Sequence, residues 1–157
     1  MAKPTPTRKA DQTRIDDSTL RQFMGYHMKR AFNVIQSDLT ETLKPFELRM
    51  LTYTALVLIC DNPGLRQSQL ADAMDIERPN LVVLIDELER REWITREKVP
   101  TDRRAYALMP TLAGRQHFAR AVQAVNAHEA RLLGQMDDTM RETVIAAMRL
   151  IEKSSRG

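Results

Sequence analysis

The chain has 157 residues, 43% hydrophobic and 29% charged with only 5% aromatic, a profile that fits one soluble, mostly helical unit and excludes disorder throughout. Its net charge of +3 permits an anionic partner without demanding one, and its single cysteine excludes an internal disulfide framework. The N-terminus lacks the apolar stretch of a signal peptide and the longest apolar run, ALVLIC at 55–60, is far too short for a membrane span, so a cytoplasmic protein is expected.

Residues 1–17 mix Pro, Thr and charge without periodicity and read as a flexible arm. From Ser18, an N-cap residue type, Leu20, Phe23, Met24, Met28, Ala31, Val34, Ile35 and Leu39 recur at helical spacing, which predicts a long amphipathic first helix over 18–44. Pro45 restricts Lys44 and opens a second helix. The segment FELRMLTYTALVLIC is apolar on most faces, so this helix is central and buried, and Asn62-Pro63-Gly64 ends it.

RQSQLADAMD predicts a short helix with Leu70, Ala71 and Met74 inward. After a break at 75–77, RPNLVVLIDELERR places Leu81, Leu84, Ile85 and Leu88 on one stripe, and two short helices so joined make a helix-turn-helix. WITREK and RRAYALM alternate around Pro100-Thr101-Asp102 and predict a two-stranded hairpin, a wing. Thr111 caps a long helix to about Gly134, and Asp137 or Asp138 caps a last one whose stripe is Met140, Val144, Ala147, Met148 and Ile151. These stripes exceed what a small winged domain can cover and call for a second copy of the chain. The expected fold is mainly α with a small β-wing: a dimerisation helix at 18–44, a winged helix-turn-helix domain at 45–110 and C-terminal dimerisation helices at 111–157, assembled as a homodimer.

Between Arg78 and Arg104, seven basic side chains face six acidic ones, so any nucleic acid met here is met by a few aimed arginines, not by bulk charge. Turn chemistry accounts for Pro100, Thr101 and Asp102 but not for Arg103 and Arg104 beside them. The order of a long helix, LKPFELRMLTYTAL, QSQLADAMDIERPNLVVLIDELERREWI and DRRAYALMPTLAGR resembles the MarR (multiple antibiotic resistance regulator) family of dimeric winged-helix transcription factors over residues 18–153. The most specific pieces are RPNLVVLIDELERREWI and the pattern Asp102-x-Arg104 followed by Leu108 and Thr111-Leu112-Ala113-Gly114.

The resemblance implies that the helix at 78–91 enters a major groove while Arg104, oriented by Asp102, reaches the adjacent minor groove. Base reading would fall to Arg78, Pro79, Asn80, Val82 and Val83: arginine pairs with guanine, asparagine with adenine, and valines meet thymine methyls. Ser68, Gln69, Lys98 and Arg103 complete the DNA-facing set. Val82 and Val83 stand where the family commonly has polar or basic residues, and Glu87 near a usual basic position, so fewer direct contacts and more reliance on DNA shape are expected. The ordinary alternatives are a solvated hairpin tip for Arg103 and Arg104, and dipole-complementing residues at a helix end for Arg90 and Arg91.

Phe23, His27 and Arg30 share one edge of the first helix, and Phe46, Met50 and Tyr53 a stripe of the second. Family effectors, often aromatic acids, occupy a crevice beside the dimerisation helices; polar groups bordering an aromatic face would suit one, as ordinary core with flanking polar residues also would. GYHMKRA further resembles the branch that responds to phenolic acids or their coenzyme A thioesters, with Tyr26 beside the pocket and Lys29 and Arg30 meeting the carrier phosphates. Cys60 ends an apolar helix and reads as a packed hydrophobe; peroxide-sensing relatives carry their cysteine in the first helix, which here has none. His117 and His128 lie eleven residues apart, about three turns, too far to share a metal, and read as solvated or interface residues. No nucleophile–base pair or phosphate-cradling loop appears, so no enzyme, cofactor or metal is expected. The rival readings are a dimer that binds an aromatic thioester without DNA, and a winged-helix protein-interaction module.

Overall fold

The computed structural model describes residues 15–99 and 102–154, without the side chains of 102–105. Most of the expected N-terminal arm, and Pro100 and Thr101 at the wing tip, thus lie outside the described residues. The chain divides into two compact units at Val34 and Ile35, within helix α1 (Met24–Leu43).

In the first unit, the helix expected from Ser18 starts later. A 3-10 turn at Leu20–Gln22 comes first, and Phe23 is extended (φ −105°, ψ 127°), so turn and helix are separate. Local side-chain bonds compete with helix there: the Ser18 N–H donates to Asp16 (2.9 Å), and the Asp17 carboxylate accepts from Arg21 Nε and the Tyr26 hydroxyl, each at 2.7 Å.

In the second unit, Pro45 does not open the second helix. It sits in a 3-10 turn, Lys44–Phe46, that Glu47 ends in the left-handed region (φ 54°), and α2 (Met50–Asp61) begins only after Arg49. The reversal brings Leu48 back beside Leu43, 4% and 0% exposed, and burying two leucines at about 1.5–3 kcal/mol each outweighs helix continuity. Helix α2 buries Ala55, Leu56 and Ile59 at the centre of the core, as its composition requires.

Helix α3 (Gln67–Met74) turns through left-handed Asp75 (φ 52°) into α4 (Arg78–Arg90), which buries Leu81, Leu84, Ile85 and Leu88. The sheet is three-stranded and antiparallel, not the two-stranded hairpin expected. Its order is β1 (Leu65–Arg66), β3 (Asp102–Pro110), β2 (Ile94–Val99), with Leu65 opposite Leu108. A two-residue strand carries no alternation to read. A register shift at Lys98 and Val99 leaves Val99 opposite Asp102 at the outer end, and Ile94 and Leu108 anchor the wing in the core.

Helix α5 (Leu112–Leu132) opens on Thr111, whose hydroxyl accepts from the Gly114 N–H at 2.9 Å and donates to the Glu92 carbonyl (2.6 Å). Helix α6 (Asp138–Ser154) is capped by Asp137, which accepts from the Met140 N–H (2.7 Å). Among the described residues, no helix is long and apolar enough to cross a membrane.

Candidate nucleic-acid interface

Because α4 spends one face on the core, its other face is fixed. Arg78, Pro79, Asn80, Val82, Val83, Asp86 and Arg90 are all exposed. Pro79 lies in the first turn, and Glu77 is the N-cap residue, a start suited to an angle fixed by proline.

The acids on this helix are tied down by arginines. Arg96 of β2 binds Asp86 and, at 2.7 Å, Glu89, which fastens the wing to the helix. Glu87, only 12% exposed, accepts from Arg49 (2.6 Å) and Arg91 (3.1 Å). Arg91 also approaches Glu47 (3.8 Å) and lies 5.0 Å over the Trp93 ring. Of the two arginines at the helix end, Arg91 is therefore used within the fold and Arg90 is exposed. Among the described residues, no ion pair involves Arg78, Arg90 or Lys98. With its carboxylates paired, this face leaves cations to meet an anion.

The Gln69 side chain accepts from the Arg66 N–H (2.9 Å), so its oxygen closes the α3 turn and its amide group is left to donate; Ser68 beside it is half-buried. The wing backbone carries Asp102, Arg103 and Arg104 at the outer end of β3; their side chains lie outside the described residues. The Glu87–Arg91 pair was visible in sequence as an i, i+4 spacing. Arg49 and Arg96, which neutralise this helix from elsewhere, gave no such signal.

In the first unit, the residues expected at an effector are partly bonded to one another. The Tyr26 hydroxyl donates to Asp17, Arg30 lies 3.4 Å from that hydroxyl and 5.6 Å over its ring. His27 Nε2 donates to the Arg21 carbonyl (2.8 Å). Lys29 lies 5.8 Å over the Phe32 ring, and Phe23 is 58% exposed. In the second unit, Phe46 and Tyr53 pack against the Leu43, Leu48 and Ala121 cluster, the ordinary use of such a stripe. Met50 instead lines a groove of about 330 Å³ with Gln36, Thr40, Leu48, Arg49, Leu51 and Leu84.

Where a solvated or interface position was expected, each helix α5 histidine is bonded to partners within the chain. His117 stacks on Trp93, centroids 4.0 Å apart, and its Nε2 donates to the Phe46 carbonyl (2.9 Å). Burial chiefly, with Arg120 and Arg91 adding, lowers its pKa from 6.5 against the opposing pull of that carbonyl and Glu47. His128 is 1% exposed. Its Nδ1 lies 2.5 Å from Asp38 while its Nε2 is buried without a partner, so Nδ1 carries the proton and donates it. The His128 bond, then Arg131, holds the Asp38 carboxyl below 3.8 against burial. The eleven-residue spacing carried no sign of these partners, which come from other helices. Cys60 is buried, and burial pushes its thiol up to about 11, the behaviour of a packed hydrophobe.

The MarR family model matches residues 48–106. A Thauera aromatica protein named "Putative transcriptional regulatory protein for hcr operon" is 35% identical over 127 residues, 80% of this chain and 76% of that one. The chain belongs to the MarR family. The transcriptional repressor CouR bound to a 23-mer DNA duplex is 32% identical, with a TM-score of 0.85 over 89% of this chain and 99% of that one. CouR from Rhodococcus jostii RHA1 bound to p-coumaroyl-CoA is 28% identical, with a TM-score of 0.79 over 86% and 95%. This MarR-family protein is a DNA-binding transcriptional regulator of winged helix-turn-helix fold, from a family of dimers that is not enzymatic.

Proposed function

We propose that this MarR-family regulator is a repressor that binds a pseudo-palindromic operator as a homodimer and leaves it when an aromatic acid or aromatic acyl-CoA thioester binds. The observation that carries the DNA-binding reading is the outward face of α4, where Arg78, Asn80 and Arg90 are exposed while Asp86, Glu87 and Glu89 are held by arginines. Two-fold symmetry requires half-sites about one DNA turn, or a multiple, apart. In this reading Arg104, oriented by Asp102, serves a minor groove beside each half-site, and Ser68, Gln69, Lys98 and Arg103 complete the DNA-facing set.

The effector reading is supported by CouR, which binds p-coumaroyl-CoA, and by the first-helix set Phe23, Tyr26, His27, Lys29 and Arg30. Lys29 and Arg30 form no ion pair among the described residues and suit the phosphates of a carrier. Effector and operator affinities must then be reciprocally coupled. Fluorescence anisotropy on fragments of the protein's own promoter region tests this: binding weakens steeply with salt and is reversed by p-coumaroyl-CoA but not by coenzyme A alone. An effector that raises the melting temperature without displacing DNA would refute the release step, and binding to no fragment would favour a ligand-binding dimer or a protein-interaction module.

A further inference from the structure

The outward stripe of α4 is apolar where a base-reading helix is ordinarily polar. Val82 and Val83 are 42% and 62% exposed, on the face opposite Leu81, Leu84 and Ile85. Pro79 stands on the same stripe one turn earlier. Asp86, one turn later, is bonded through its Oδ1 to Arg96.

Neither valine can exchange a hydrogen bond with a base edge. The one major-groove feature that rewards an isopropyl group is the C5-methyl of a pyrimidine. A valine in a helix already holds one χ1 rotamer, so seating it against a methyl costs little side-chain entropy. The polar residues Arg78 and Asn80 lie on the preceding turn. Telling thymine from 5-methylcytosine would need a polar group matched to O4 or to the N4 amino group, and a valine side chain has none.

We propose that Val82 and Val83 are specificity residues that read C5-methyl groups, taking thymine and 5-methylcytosine alike. The assignment rests on the DNA-binding reading of α4 and names what its centre recognises. The test is anisotropy of the full chain on its promoter-region fragment in two matched pairs: thymine against uracil, and, at the same half-site positions, 5-methylcytosine against cytosine. Members of a pair differ only by methyl groups. The methylated member of each pair binds about fourfold tighter per contacted methyl. The double variant Val82→Ala, Val83→Ala lowers both ratios toward one while keeping its melting temperature, since both side chains are exposed.

Equal affinity for thymine and uracil fragments overturns the proposal, as do ratios unchanged in the double variant. A thymine–uracil ratio with no matching ratio for cytosine methylation overturns the indifference between the two methylated bases. Failure of the wild-type chain to bind any fragment at low salt strikes the DNA-binding reading itself, not the methyl assignment.

Discussion

Gly114 sits where α5 passes against the backbone of Trp93, just ahead of β2. A Cβ built there would stand 1.9 Å from the Trp93 carbonyl oxygen and 2.8 Å from its carbon, and that oxygen already accepts from the Thr111 N–H at 3.0 Å. Backbone cannot swing aside as a side chain tip can. Gly114→Ala should therefore destabilise at the upper end of overpacking costs, about 3 kcal/mol, read as a fall in the urea midpoint. Gly25 in α1 meets nothing within 4 Å, so Gly25→Ala should instead gain about 0.5 kcal/mol from helix propensity. The same scale governs Cys60. Its thiol is raised from 9.0 to about 11 by burial, so the fold prefers the neutral form; the stability this gives is complete below pH 9.0 and is lost as pH rises toward about 11. Native protein at mildly alkaline pH should resist thiol alkylation that the urea-unfolded chain undergoes readily. Rapid alkylation without unfolding would mean that the thiol is accessible.

At the scale of elements, what was legible depended on period. Helices α2, α4 and α5 carry repeated apolar spacing or a named cap, and the structure puts Leu81, Leu84, Ile85 and Leu88 inward as that spacing requires. Pro45 misled because its fixed φ suits a 3-10 turn as well as a helix start, and left-handed Glu47 decides between them. Strand β1 and the partners of His117 and His128 depend on contacts between distant segments, to which local pattern is blind. Of the candidate interface, the residues of α4 were legible and the arginines that neutralise its acids were not. His117 couples three elements, since it stacks on Trp93 ahead of β2 and donates to Phe46 before α2. Its lowered pKa means that the fold prefers neutral imidazole. The resulting stability is present above pH 6.5 and is lost as pH falls below that through the depressed folded value. His117→Gln should flatten the fall in stability that sets in below pH 6.5 while lowering stability at neutral pH, because the stack on Trp93 is lost. An unchanged pH profile in that variant would assign the acid sensitivity to another group.

For the whole molecule, α6 poses the question of what covers it. Seventeen residues long, it has no buried residue in the single chain, and Met140, Met148 and Ile151 remain 52%, 47% and 41% exposed on one stripe. In proteins most helical stability comes from packing an amphipathic face rather than from propensity. Members of the family are dimers, and a second copy laid on this stripe would bury what one chain leaves open. Charges placed there then act on assembly and not on the subunit's own core. Met148→Glu with Ile151→Glu should give a monomer in sedimentation velocity while the melting of the winged domain, followed by Trp93 fluorescence, stays close to wild type. A monomer engages one half-site at a time and loses the effective concentration that joins two binding events, so operator affinity should fall by about 10²–10⁴. The same fragment cut to one half-site should bind the variant and the wild-type chain nearly equally. A variant that stays dimeric would place the subunit contact on another face, and a monomer that keeps full operator affinity would show that one winged domain suffices.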